Sequence, residues 1–224
     1  VRMWDVATGR EVRKLEGHTD VVTTVAVTPD GRHVVSGSAD TSVRMWDVAT
    51  GRELCKLEGH TDRVTTVCVT PDGRHVVSGS ADRSVRMWDV TTGREVRKVE
   101  GHTDTVTAVC VTPDGHHVVS GSWDRSVRMW DVATGREVLK LEGHTASVTA
   151  VSVTPDGRHV VSGSWDDSVR MWDVATGREV RKLEGHTASV TAVGVTPDGR
   201  HVVSGSWDRS VRMWDVATGR EVRK

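Results

Sequence analysis

Short apolar runs and short polar breaks alternate along this chain at one fixed interval. VTTVAVT (Val22 to Thr28) is apolar and β-branched, and PDG (Pro29 to Gly31) interrupts it. HVVSGS (His33 to Ser38) and SVRMWDV (Ser42 to Val48) follow, and EVRKLE (Glu11 to Glu16) shows the run that comes after each ATG break. Runs of this length and composition, bounded by Pro, Asp and Gly, predict strands joined by tight turns. No stretch carries the period of a long amphipathic helix. Four such strands predict one small antiparallel sheet. The first three are apolar or small on both faces, so the sheet has to lie between neighbours. The fourth carries Glu11, Arg13 and Lys14, which mark an outer edge protected against edge-to-edge pairing. Sheets stacked radially in this way predict an all-β propeller of four-stranded antiparallel blades.

The interval is 42 residues: VRMWD begins at Val1, Val43, Val85, Val127, Val169 and Val211. The repeats run 1–42, 43–84, 85–126, 127–168 and 169–210, with a partial sixth at 211–224. The chain thus reads as a single propeller or partial propeller of five blades plus an extra strand pair. Val1–Lys14 and Val211–Lys224 are identical. Near-identity throughout predicts recent amplification or design. An opening on Val1, inside a repeat, predicts a piece of a longer chain or an engineered unit.

Gly17–His18, then SGSAD at Ser36–Asp40, then Trp46–Asp47 resemble the WD40 repeat, and the resemblance extends over all 224 residues. It implies a buried hydrogen-bond chain of His, Ser, Asp and Trp in each blade. The implied residues are His18, Ser36, Asp40 and Trp46; His60, Ser78, Asp82 and Trp88; His102, Ser120, Asp124 and Trp130. The last two sets are His144, Ser162, Asp166 and Trp172, then His186, Ser204, Asp208 and Trp214. Donor and acceptor chemistry is compatible with this. The carboxylate accepts from an imidazole N–H, the other ring nitrogen accepts from serine, and the serine accepts from the indole N–H. A Ser, His and Asp also suggest hydrolysis. The set occurs five times, however, and a hydrolase needs one exposed nucleophile beside an oxyanion hole. No catalytic residue is expected.

The repeats differ mainly in two loops. After GHT the residues are Asp20–Val21, Asp62–Arg63, Asp104–Thr105, Ala146–Ser147 and Ala188–Ser189. Around the first aspartate of SGSAD they are Ala39 and Thr41, Ala81 and Arg83, Trp123 and Arg125, Trp165 and Asp167, Trp207 and Arg209. Two strand passes separate these loops, so both fall on one rim. The resemblance implies that this rim takes a protein or peptide, and Trp and Arg dominate binding hot spots. The expected partner-binding residues are Arg63, Arg83, Trp123, Arg125, Trp165, Trp207 and Arg209, with the three tryptophans forming an arc. The other expectation is a self-assembling repeat unit with no ligand of its own. Small residues at Ala26, Cys68, Cys110, Ser152 and Gly194 predict a tight place between blades or beside the channel.

Charge narrows the partners. Thirty Lys and Arg face 31 Asp and Glu, a net charge of -1, so no basic field draws nucleic acid or anionic membrane. No apolar run approaches a membrane span, and no signal pattern opens the chain. The three cysteines, Cys55, Cys68 and Cys110, suit neither a disulfide framework nor a zinc site; they predict buried free thiols in a reducing cytoplasm. No metal or cofactor is expected. His33, His75, His117, His159 and His201 are expected on the opposite rim as solvated surface residues, and Arg44 and its counterparts as side chains snorkelling between blades.

The ends do not balance. Stacked repeats need polar caps, and the terminal segments here match interior ones. An open arc of five blades leaves two apolar faces in water. Either the N-terminal strand pair replaces the C-terminal pair and closes a ring, or copies exchange these identical segments. A homo-oligomer is expected, most simply a dimer.

Overall fold

The computed structural model describes all 224 residues, Val1 to Lys224. It contains 22 strands and no helix. Strands β1 (Arg2–Trp4) and β2 (Glu11–Lys14) form a hairpin. The first four-stranded sheet is β3 (Val22–Val27), β4 (His33–Ser38), β5 (Val43–Asp47) and β6 (Glu53–Leu57). The second is β7 (Val64–Val69), β8 (His75–Ser80), β9 (Val85–Asp89) and β10 (Glu95–Val99). The third is β11 (Val106–Val111), β12 (His117–Ser122), β13 (Val127–Asp131) and β14 (Glu137–Leu141). The fourth is β15 (Val148–Val153), β16 (His159–Ser164), β17 (Val169–Asp173) and β18 (Glu179–Leu183). The fifth is β19 (Val190–Val195), β20 (His201–Ser206), β21 (Val211–Asp215) and β22 (Glu221–Arg223). Each is an antiparallel meander in sequence order.

Local chemistry sets the turns. In TPDG the Thr28 hydroxyl bonds Asp30 at 2.6 Å, and Gly31 takes the left-handed conformation at φ 69°. After β5, the Asp47 carboxylate accepts both the backbone N–H and the hydroxyl of Thr50, each at 2.6 Å. The aspartate that follows each strand-closing tryptophan is therefore a turn residue, and the tryptophan is a core residue.

The sheets pack face to face in chain order, with a dry core in each gap. Between the first and second lie Val35, Val43, Met45 and Leu57 from one side and Val64, Val67, Val76 and Trp88 from the other. The corresponding residues recur in the next three gaps, with Val99 in place of the leucine in the second. A threonine stitches the inner strands across each gap: the hydroxyl of Thr107 donates to Val148 O at 2.7 Å, and that of Thr149 to Val190 O at 2.7 Å. A fifth, smaller core joins Leu15, Val34 and Trp46 with Val1 and Met3, so hairpin β1–β2 covers the outer back of the first sheet. The arc is open. Val25 and Val27 on the first sheet are 55% and 58% exposed, and Val211 on the fifth is 63% exposed. No helix is long and apolar enough to cross a membrane.

Candidate functional site

Strands β4 and β5 bring serine and tryptophan together, and the two loops above them deliver histidine and aspartate. In every sheet three bonds of 2.8 Å link them. In the first, Trp46 Nε1–H donates to Ser36 Oγ, which faces His18 Nε2, and His18 Nδ1 faces Asp40 Oδ2. In the second they link Trp88, Ser78, His60 and Asp82, and in the third Trp130, Ser120, His102 and Asp124. The fourth links Trp172, Ser162, His144 and Asp166, and the fifth Trp214, Ser204, His186 and Asp208. The five serines are 0–1% exposed. An oxygen sealed in this way, already accepting an indole N–H, has no approach for a substrate carbonyl.

The chain is longer than the four residues that the sequence reading joined. Ser42 donates its hydroxyl to Asp40 at 2.6 Å, as do Ser84, Ser126, Ser168 and Ser210 to their own aspartates. The amide of Thr19 adds a bond to the same carboxylate. Arg44, Arg86, Arg128, Arg170 and Arg212 each pair with a glutamate of the outermost strand, from Glu53 to Glu221. Four of them also lie 3.7–4.0 Å from the network aspartate. These arginines are thus ion-paired rather than snorkelling. A serine two residues after each network aspartate, and a glutamate nine after each arginine, were the available signals.

Burial alone would raise the carboxyls of Asp40, Asp82, Asp124 and Asp166. Bonds from serine, histidine and backbone amides outweigh it and hold all four far below the usual carboxylate range. At Asp208 the Ser210 bond is the largest influence, in the same direction. A carboxyl depressed in the folded state stabilises the fold above its unfolded value, near 3.9, and that contribution is lost as pH falls toward the folded value. The melting temperature is therefore expected to drop steadily below about pH 4 and to be still falling at about pH 2. A flat profile across that window, followed by circular dichroism, would contradict the network's role.

The variable loops converge on one rim. Trp123 and Trp165 lie with ring centroids 6.0 Å apart and planes 38° apart; Trp165 and Trp207 are 6.3 Å and 32° apart. The three rings form a continuous ladder across three blades. Trp123 is half-buried, Trp165 is 42% exposed and Trp207 is 67% exposed. Ala39 and Ala81 hold the same place on the first two blades. Arg63, Arg83, Arg125 and Arg209 are exposed around the rim. Sequence reasoning missed one local feature: Thr41, Arg83, Arg125, Asp167 and Arg209 all sit in the left-handed region, at φ 65–71°. Such a backbone disfavours most side chains, Asn and Asp least. Arg83→Gly is expected to raise stability by about 0.5–1 kcal/mol in urea unfolding, and a loss would contradict the strain.

The opposite rim carries the five strand-start histidines, partly covered. His33, His75, His117, His159 and His201 are half-buried, because each strand start lies across from the turn aspartate of its neighbour, as His33 does from Asp47. No group of His, Cys, Asp and Glu is placed to hold a metal ion. The three thiols are free and half-buried. Desolvation pushes the Cys110 thiol up to about 12, and Cys68, with Cys110 beside it, higher still.

The model of the "WD domain, G-beta repeat" family matches five times, at residues 9–47, 51–89, 93–131, 135–173 and 177–215. The chain is also similar to an uncharacterized WD repeat-containing protein of Schizosaccharomyces pombe. That match is 42% identical over 43 residues, which is 19% of this chain and 11% of that protein. With five family matches on five sheets braced by the same side-chain network, this chain belongs to the WD40-repeat family.

Proposed function

We propose that the chain is a non-enzymatic, cytoplasmic scaffold that holds a protein or peptide on the rim bearing Trp123, Trp165 and Trp207. The tryptophan ladder carries this reading. Exposed indoles held rigid at one rim are costly in water and bring large contact area at little entropic cost when covered. Arg63, Arg83, Arg125 and Arg209 flank the loops and add charge-assisted contacts. The near-neutral net charge disfavours nucleic acid. The exposed apolar faces at Val25, Val27 and Val211 favour a homo-oligomer, most simply a dimer.

A peptide-library screen on immobilised protein tests the rim. Trp165→Ala is expected to weaken capture of the strongest peptides by about 30-fold, the loss typical of a hot-spot side chain. Circular dichroism should be unchanged. Equal capture by both proteins would place binding away from the tryptophan ladder, and capture by neither would instead support a repeat unit without a ligand.

A further inference from the structure

The two open faces of the arc are the two halves of an interface that the chain builds four times. Val211 is 63% exposed, whereas Val43, Val85, Val127 and Val169 are at most 3% exposed under the following sheet. A Cβ added at Gly163 would lie 2.7 Å from Val190, but one added at Gly205 would meet nothing within 4 Å. The Thr191 hydroxyl reaches only Gly205 O, at 3.2 Å, and lacks the carbonyl across a gap that Thr149 finds in Val190. The front of the fifth sheet therefore lacks an apolar back face and a backbone acceptor. The back of the first sheet offers both. Val25 and Val27 are 55% and 58% exposed there, beside Val22, the counterpart of Val64 and Val190.

Hairpin β1–β2 complicates the fit. Val1 and Met3 press on Val34 and Trp46 as Val43 and Met45 press on the second sheet. The hairpin thus occupies the outer half of the place a preceding blade would fill. Its sequence is that of Val211–Lys224. Its cover is partial, because Val25 and Val27 stay 55% and 58% exposed beside it. A complete sheet covers Val25 and Val27 as well as Val34 and Trp46, which the hairpin does not.

We propose that copies of this 224-residue chain join tail on head. The fifth sheet of one copy seats on the back of the first sheet of another, and hairpin β1–β2 of the receiving copy is displaced. The junction continues the interfaces within the chain, buries more apolar surface than the hairpin does, and is heterologous. It rests on the homo-oligomer reading above and specifies its surfaces.

Light scattering behind a sizing column, over a concentration series, tests it. The unmodified chain is expected to show two or more chain masses. Val211→Asp, on the tail, and Val25→Asp or Val27→Asp, on the head, are each expected to run at one chain mass, 24.4 kDa. All three positions are exposed, so the fold is retained. Mixing Val211→Asp with Val25→Asp leaves one intact tail and one intact head, and the mixture is expected to recover a two-chain species. Hydrogen exchange over Arg2–Lys14 should be faster in the assembly than in the Val211→Asp monomer. A single chain mass for the unmodified protein overturns both the oligomer and the junction. An oligomer that survives Val211→Asp, or a mixture that stays monomeric, overturns the junction alone. Slower exchange over Arg2–Lys14 overturns the displacement.

Discussion

Trp130→Ala is expected to destabilise the chain by about 3–5 kcal/mol, the range for removing a large buried aromatic. Trp130 is 3% exposed and packs between the second and third sheets with Val77, Met87 and Val118. Its loss opens a cavity at a sheet junction and removes the indole bond to Ser120. Stability in a repeat array is a sum of unit and nearest-neighbour contributions. A weak middle junction should therefore split the urea transition as well as lower its midpoint. Trp130→Phe separates the two effects, because it keeps most of the volume and removes only the N–H, at about 1–3 kcal/mol. Trp207→Ala, on the exposed end of the rim ladder, is expected to cost no more than about 1 kcal/mol. Equal losses at Trp130 and Trp207 would mean that the core and rim tryptophans had been wrongly distinguished.

Val169→Asp is expected to prevent folding of the fourth and fifth sheets, whereas Val211→Asp leaves the fold intact. The two valines occupy the same position in identical VRMWD segments. Val169 is 0% exposed in the core with Met171, Leu183 and Val190, and Val211 is 63% exposed. An unpaired carboxylate at Val169 has no partner and no water, and its cost of several kcal/mol is comparable to the whole stability of a domain. At Val211 the same group is solvated. Near-ultraviolet circular dichroism and thermal melting of the two variants check this. Similar melting temperatures would contradict the open arc.

The local levels of the structure were legible because they depend on nearest-neighbour chemistry. Alternating β-branched runs and PDG or ATG breaks placed the strands, since turn residues act within three or four positions. The histidine, serine, aspartate and tryptophan network was legible through the resemblance to the WD40 repeat, whose motif residues recur in every repeat. Its extension to Ser42 and to the pair of Arg44 with Glu53 was overlooked, although the same repetition carried it. The left-handed backbone at Thr41, Arg83, Arg125 and Arg209 was hidden by the residue types, because only Asp167 among the five positions is of a kind enriched there. The histidines of the opposite rim are partly covered by the turn of the adjacent strand, which repeat position alone does not show.

Sequence alone determined the period, the four-stranded unit and which loops share a rim, and the resemblance to the WD40 repeat supplied the brace within each unit. Periodicity and turn chemistry specify the first three without reference to other repeats. Only the tertiary structure decided how identical segments differ. Val1–Lys14 and Val211–Lys224 have one sequence, yet Trp4 is 56% exposed and Trp214 is 1% exposed. It also joined Trp123, Trp165 and Trp207 into a ladder of touching rings. The physical reason is the same in both cases. Burial is a property of the gap between sheets, and a residue's own segment supplies only one wall of that gap.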